Sequence, residues 1–149
     1  MLPKLGLALV VVLIGLQFFP VDRTNPPVTA PIPASAAVDS VIRRACYDCH
    51  SNETVWPWYS RVAPVSFLVA RDVHQGRRHL NFSTWGDYAP AKQTKLVHEI
   101  WEQVSKGEMP MTIYLPMHPH ARLSAQDKAV FEAWAKSVGP AAAEPASGH

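Results

Sequence analysis

Cys46-Tyr47-Asp48-Cys49-His50 is the stretch of sequence that decides the fold and the chemistry of this chain. Two cysteines separated by two residues, with a histidine directly after the second, fit the C-x-x-C-H pattern of covalent haem attachment. In that pattern the two thiols add to the two vinyl groups of one haem, so they must lie on one side of a short turn. The histidine is then placed beneath the iron as the proximal ligand. We therefore predict one covalent haem c on Cys46 and Cys49, with His50 as a metal ligand.

Two other interpretations of the cysteine pair fit less well. A structural zinc site needs a fourth ligand and usually a second cysteine pair, and the chain has only two cysteines. A thioredoxin-like redox pair needs a βαβ context, and no segment has the alternating pattern of a strand. Covalent haem is therefore the interpretation that the sequence favours.

The composition is that of one ordinary globular domain with extensions. The chain has 149 residues, 17% of them charged, and a formal net charge of +2. This charge is small, and no run of Lys or Arg is long enough to follow a phosphate backbone, so nucleic acid is not an expected partner. The sequence has no Ser/His/Asp pattern, no glycine-rich phosphate loop and no second haem motif. We therefore expect a carrier of electrons and not an enzyme.

The N-terminus has the pattern of a membrane-targeting segment. In the apolar run from Leu5 to Phe19 only Gln17 is strongly polar, and Lys4 precedes the run, as in a signal sequence. Residues 2–19 make a membrane span marginal, because a full span needs about 20 residues. The small-x-small site at residues 34–36 lies far from the run. We therefore predict that residues 1–19 are an uncleaved signal anchor, with the remainder in the periplasm; a cleaved, soluble periplasmic form is the alternative.

Residues 20–36 hold five prolines and predict an extended tether. Residues 37–139 predict the folded haem c domain, and the Ala- and Pro-rich residues 140–149 predict a disordered tail. Inside the domain, apolar residues at three- and four-residue spacing predict helices over 37–45, 64–78, 90–107 and 124–139. Ser124 and Asp127 form a possible capping box, and Gly107 is a favoured helix-ending residue. The expected fold is all-α: about four short helices around one haem, preceded by the membrane helix.

The second axial ligand is expected to be a methionine or another histidine. The candidates are Met109, Met111, Met117, His118 and His120. Gly107-Glu108-Met109-Pro110 is similar to the Gly-x-Met-Pro phrase of many small cytochromes, in which a loop after a helix brings the sulfur to the iron. We therefore predict Met109 as the distal ligand, although methionine also commonly fills core space.

Other aromatic and basic residues are weaker candidates for contact with the cofactor. Aromatic side chains just after the motif fit either a haem wall or ordinary core packing, and arginines fit either propionate partners or a solvated helix face. The aromatic candidates are Trp56, Trp58 and Tyr59, and the arginines are Arg61, Arg77 and Arg78. His74, His79 and His98 are expected to be surface or hydrogen-bonded structural residues.

Longer phrases of the sequence carry a family resemblance. These phrases are PVDRTNPPV (20–28), CYDCHSNETVWPWYSRVAPVS (46–66), GRRHLNFSTW (76–85), GEMP (107–110) and ARLSAQDK (121–128). With them the chain resembles the haem-binding domain family of bacterial monohaem c-type cytochromes. The resemblance implies an α-helical cytochrome c-like domain that faces the periplasm on an N-terminal anchor, but it implies little about partners. Unidentified redox partner proteins are what the expected electron transfer requires. Met111 departs from the family pattern, in which a second proline often follows GEMP.

These observations predict one-electron transfer in the periplasm, with a six-coordinate iron held by His50 and Met109. The rival functions are a haem-based sensor or haem enzyme, which needs an open iron position, and a binding module in which haem is structural.

Overall fold

The fold is all-α, as predicted. A computed structural model describes residues 2–140, and the regular structure in that range is helical, with no strand in it. The α-helices of this range are α1 (Leu2–Leu16), α2 (Ala36–Ala45), α3 (Tyr47–His50), α4 (Val65–His79), α5 (Pro90–Lys106) and α6 (Ala125–Ser137). Short 3-10 turns lie at Trp58–Arg61, Phe82–Asp87 and Pro119–Ala121. The predicted disordered tail, except for Pro140, lies outside the described residues.

The helix boundaries follow local signals that the sequence displays. The Ser124 hydroxyl accepts from the backbone N–H of Asp127, and the Asp127 carboxylate accepts from the backbone N–H of Ser124, so the capping box is confirmed. Gly107 ends α5 with φ of 74°, the left-handed conformation that favours glycine. Four predicted helices therefore correspond to α2, α4, α5 and α6, and α3 is the additional turn that carries the motif.

The N-terminal helix is shorter than the sequence suggests. Within residues 2–140, none of the helices has both the length and the apolar character needed to cross a membrane. α1 has 15 residues, or about 22 Å at 1.5 Å per residue, against a hydrocarbon core of about 30 Å. Directly after it, the Gln17 side-chain amide donates to the Ala63 carbonyl at 3.1 Å and accepts from the Ala63 N–H at 3.0 Å. The expected membrane-spanning helix is therefore not supported by the structure.

The proline-rich segment is extended, but it differs from the free tether that its composition predicts. Thr29 and Ala30 donate backbone N–H groups to the Ser83 carbonyl at 3.2 and 3.1 Å, and Ile32 donates to the Phe82 carbonyl at 2.9 Å. Proline fixes an extended backbone but leaves carbonyl groups and the neighbouring N–H groups free to pair. The domain uses these groups, so residues 22–32 lie along it as a strap.

The core forms where α2, α5 and α6 meet the Phe82–Asp87 turn. Ile42, Phe82 and Phe131 are fully buried. Phe82 stacks on Tyr47 at 5.6 Å between ring centroids, which joins the core to the haem-attachment motif. The same Phe82 ring also lines the main cavity, so the packing of the core and the shape of the site are linked.

Candidate functional site

The five-residue motif forms one compact turn at the end of α2. Cys46 ends that helix, and its carbonyl accepts from the N–H groups of Cys49 at 3.2 Å and His50 at 2.9 Å. In such a turn, side chains three residues apart project to the same side. Cys46 and Cys49 are free thiols that line one cavity. The structure therefore brings together the two predicted attachment residues.

The two thiols are held in their protonated form. Burial is the main cause that raises the pKa of Cys46 and of Cys49 to about 12. The negative charges of Asp48 and Asp72 add to the effect at Cys49. At neutral pH both residues are therefore neutral S–H groups.

The His50 ring has a defined tautomer. Its Nδ1 lies 3.2 Å from the Gly76 carbonyl oxygen and 3.1 Å from the Leu80 carbonyl oxygen. Since both partners only accept, Nδ1 carries the proton and donates it, and Nε2 keeps a free lone pair. Burial also lowers the pKa of His50, which favours the neutral ring. This is the arrangement that orients a histidine for metal ligation.

Helix α4 supports the motif through an unusually close approach at Gly76. A Cβ atom at this position would lie 2.4 Å from the Cys49 carbonyl oxygen. The absent side chain lets α4 pass directly behind the turn, and the Gly76 carbonyl is then within reach of His50. This role of Gly76 was not predicted from the sequence, although a glycine inside a helical pattern usually has a packing reason.

The motif opens into a cavity of about 550 Å³, within the range of about 300–1,000 Å³ that is typical of ligand sites. One wall is apolar and belongs to α5, through Leu96, Ile100 and Val104. Polar side chains from α4 and α5 lie along the same cavity, and they include Asp72, Gln75, Glu99 and Gln103. The apolar wall suits a flat apolar ring, and of these four polar side chains only the Gln75 and Gln103 amides can donate hydrogen bonds to carboxylate substituents.

The loop after α5 brings methionine to this cavity. The Gln103 carbonyl accepts from the N–H groups of Glu108 at 3.0 Å and Met109 at 3.3 Å, which ties the start of the loop to the helix end. Met109 and Met111 both line the cavity. The structure thus places the predicted distal ligand on the same cavity as His50, and Met111 with it.

The remaining axial candidates lie elsewhere in the described part of the chain. The cavity lining does not include Met117, His118 or His120. His118 is engaged by its neighbours: its Nε2 lies 2.6 Å from the Tyr59 hydroxyl, and its ring stacks on Tyr114 at 3.9 Å. His118 therefore acts within an aromatic cluster beside the cavity.

None of the three aromatic residues and three arginines that were weaker candidates for contact with the cofactor lines the cavity. Arg77 donates from Nε to the Ser51 carbonyl at 2.7 Å and from Nη1 to the Thr24 carbonyl at 2.8 Å. Its Nη2 donates to Asn25 Oδ1 at 2.7 Å and to Thr54 Oγ1 at 2.8 Å. Arg77 thus fastens the strap to the loop that follows the motif. Among the histidines, His79 lies at the cavity and 3.3 Å from Glu99.

No multi-residue site for another metal competes with this interpretation. In residues 2–140 there is no group of three or more His, Cys, Asp or Glu side chains arranged to hold a metal ion. The zinc alternative therefore has no ligand set in the described part of the chain.

An all-α domain that places two thiols, an oriented histidine and methionine on one partly apolar cavity has the construction of a haem-binding protein. A family model described as a haem-binding domain matches residues 11–137. The chain therefore belongs to the haem-binding domain family, and the resemblance predicted from the sequence phrases is confirmed. No curated protein and no solved structure matches the chain.

Proposed function

We propose that this protein is a monohaem c-type cytochrome that carries single electrons in the periplasm. One haem c would be bound through Cys46 and Cys49, with His50 as the proximal ligand and Met109 as the distal ligand. The observation that carries the proposal is the His50 ring, whose Nδ1 proton is committed to two backbone carbonyls while its Nε2 is left for a metal. The ring shares its cavity with both thiols.

The cysteines fit covalent attachment because both are free and both line the cavity that His50 lines. Cys46 and Cys49 would each hold the haem by one C–S bond, formed by addition of the S–H group across a vinyl group, with the thiol hydrogen passing to the neighbouring vinyl carbon. No oxidant or reductant is needed for this addition. The small domain would then keep its cofactor without enclosing it completely.

The axial residues supply one nitrogen and one sulfur. The hydrogen bonds to Gly76 and Leu80 hold the His50 ring in one orientation and increase the basicity of Nε2. Met109 offers a soft thioether, which favours the reduced metal and raises the reduction potential. Its loop is anchored at Gln103, which limits the movement of the sulfur.

Bound haem would supply one-electron exchange between two oxidation states of iron. The role of the protein would be to keep the surroundings of the iron the same in both oxidation states. The α5 side chains Leu96, Ile100 and Val104 would cover one face of the ring, and the His50 ring, held by two backbone carbonyls, would need little rearrangement. These properties suit a carrier that exchanges electrons with redox partner proteins, and we propose no catalytic role.

We further propose that the N-terminal segment keeps the domain at the periplasmic side of a membrane. Helix α1 exposes large apolar side chains, among them Leu5, Leu7 and Val11 at 71%, 67% and 60%. An apolar surface of this kind is unfavourable in water and is typical of segments that contact lipid or another apolar surface. Fractionation of cells that express the full chain tests this: we expect the protein with the membranes, and an intact soluble protein would contradict the proposal.

Mass spectrometry of the denatured protein and haem staining after denaturing electrophoresis test the attachment. We expect the mass of one haem to stay on the wild type and to be absent from the Cys46→Ala/Cys49→Ala variant. Loss of all haem from the denatured wild type would contradict covalent attachment. Carbon monoxide added to the reduced protein should bind slowly or not at all. Fast stoichiometric binding would favour the sensor or haem-enzyme alternative, which needs an open iron position.

A further inference from the structure

A hydrogen bond joins the haem-attachment motif to the loop on the opposite side of the cavity. The Tyr114 hydroxyl donates to Asp48 Oδ2 at 2.7 Å, across 66 positions of sequence. Asp48 lies between the two cysteines, and Tyr114 follows Met109 and Met111 in the same loop. Both Asp48 and Tyr114 line the cavity. The bond therefore spans from the proximal motif to the loop that carries the methionine candidates.

The acceptor is rigidly held. Asp48 Oδ1 accepts from the Val55 N–H at 3.0 Å, so each carboxylate oxygen has its own donor. The Asp48 backbone carbonyl also accepts from the Thr54 hydroxyl at 2.7 Å. The carboxylate is thus fixed by the loop that follows the motif, independently of Tyr114.

The donor is held from its other side. The Tyr114 ring lies parallel to His118, with centroids 3.9 Å apart and planes 8° apart. Tyr59 in turn contacts His118 Nε2 through its hydroxyl at 2.6 Å. Burial and the bond to Asp48 raise the pKa of Tyr114, so its hydroxyl remains a donor over the physiological range of pH.

The loop has little other attachment. Among the residues that the structure describes, the Tyr114–Asp48 contact is the one hydrogen bond that joins residues 110–117 to another part of the chain. The backbone bonds of Tyr114 N–H to Met111 and of His118 N–H to Leu115 are local to the loop. The position of residues 110–117 relative to the motif therefore depends on this polar contact, on packing, and on the anchoring of Glu108 and Met109 at Gln103.

We propose that Tyr114 is a positioning residue whose hydrogen bond to Asp48 holds the methionine loop closed over the haem, and that this bond keeps the distal sulfur on the iron. The inference rests on the proposed function, because it requires a haem with a methionine ligand. A hydrogen bond to a charged group is among the stronger ones in proteins. Its loss is therefore expected to raise the population of the open loop about tenfold to a hundredfold.

The test compares Tyr114→Phe with Tyr59→Phe in the haem-loaded protein. Both variants lose one hydroxyl from the same cluster, but only Tyr114 contacts the motif. For Tyr114→Phe we expect carbon monoxide to bind the reduced protein about tenfold to a hundredfold faster, with a weaker red sulfur-to-iron band in the oxidised protein. Tyr59→Phe should have a much smaller effect, because it leaves the Tyr114–Asp48 hydrogen bond in place. In Asp48→Asn the loop should also stay mostly closed, because the asparagine amide N–H can donate to the Tyr114 oxygen.

Hydrogen exchange of the amides of residues 108–118 gives a readout that does not depend on the iron ligand. It should accelerate strongly in Tyr114→Phe and much less in Tyr59→Phe. If the wild type resists carbon monoxide and Tyr114→Phe behaves in the same way, the inference is overturned and the proposed function stands. Equal effects of both variants would also overturn it, since they would indicate general loosening. A wild type that binds carbon monoxide at once would defeat the closed-site function and this inference together.

Discussion

Gly76 and Cys49 approach each other so closely that a Cβ atom on the glycine would lie 2.4 Å from the Cys49 carbonyl oxygen. The neighbour is backbone within the haem-attachment turn, and it cannot rotate away as a flexible side chain would. The same glycine accepts the Nδ1 proton of His50 through its own carbonyl. One small residue therefore sets the distance between α4 and the motif and helps to orient His50, the proposed proximal ligand.

Gly76→Ala is expected to destabilise the protein and to lower its haem content. Alanine favours a helix by up to about 1 kcal/mol over glycine, but separating α4 from the turn should cost about 1–3 kcal/mol. Urea unfolding and the ratio of haem to protein measure the two effects. Gly15→Ala is the control, because a Cβ at Gly15 meets nothing within 4 Å. A Gly76→Ala protein that is as stable as the wild type and binds as much haem would contradict this account of the close approach.

Met109→Ala is expected to abolish the weak red band of the oxidised protein, to lower the reduction potential and to open the iron to carbon monoxide. The physical reason is the loss of a thioether ligand that favours reduced iron. Met111→Ala is the matched control, since Met111 lines the same cavity two residues later. If Met111→Ala removes the band and Met109→Ala does not, the ligand assignment is wrong.

Arg77→Lys is expected to loosen the strap. Arginine donates here to four acceptors in a fixed fork, and lysine cannot reproduce this geometry. We expect the free energy of unfolding to fall by about 2 kcal/mol, together with faster proteolysis within residues 20–34. Arg78→Lys, at the next position, should change neither measurement, and identical behaviour of the two variants would show that the fork contributes nothing.

Asp127→Asn is expected to reduce the dependence of stability on acid pH. Burial alone would raise the pKa of Asp127, but hydrogen bonds from Ser124 and Arg44 outweigh it and lower the pKa below 3.8. A carboxylate with a lowered pKa in the folded state stabilises the protein above its unfolded pKa, and this stability is lost as pH falls through the folded value. The variant should therefore be less stable at pH 7, by about 1 kcal/mol, and should lose less stability between pH 5 and pH 2.

Thermal or urea unfolding across that pH range measures the effect of Asp127→Asn. Glu132→Gln is the control on the same helix, since Glu132 pairs with Lys136 on the exposed face. If the stability of Asp127→Asn falls with decreasing pH as steeply as that of the wild type, the proposed role of the Asp127 carboxylate is contradicted.

Four of the domain helices could be predicted because their signals are local. The spacing of apolar residues, the capping pair Ser124 and Asp127, and Gly107 after α5 lie within a few residues of the structure that they specify. The haem motif is also contiguous, so its chemistry is readable without the fold. The N-terminal segment was less predictable, because composition identifies apolar and proline-rich runs but does not show where they pack.

The sequence by itself determined the helical class and the family, and it located the C-x-x-C-H motif at residues 46–50. Only the tertiary structure decided that the Nδ1 atom of His50 bonds to the carbonyls of Gly76 and Leu80, that Tyr114 reaches Asp48, and that the strap lies along the domain. The physical reason is the range of the interactions. Helices and turns form between residues three or four positions apart, whereas these contacts join residues 26 to 66 positions apart, and their partners meet only when the helices pack around the cavity.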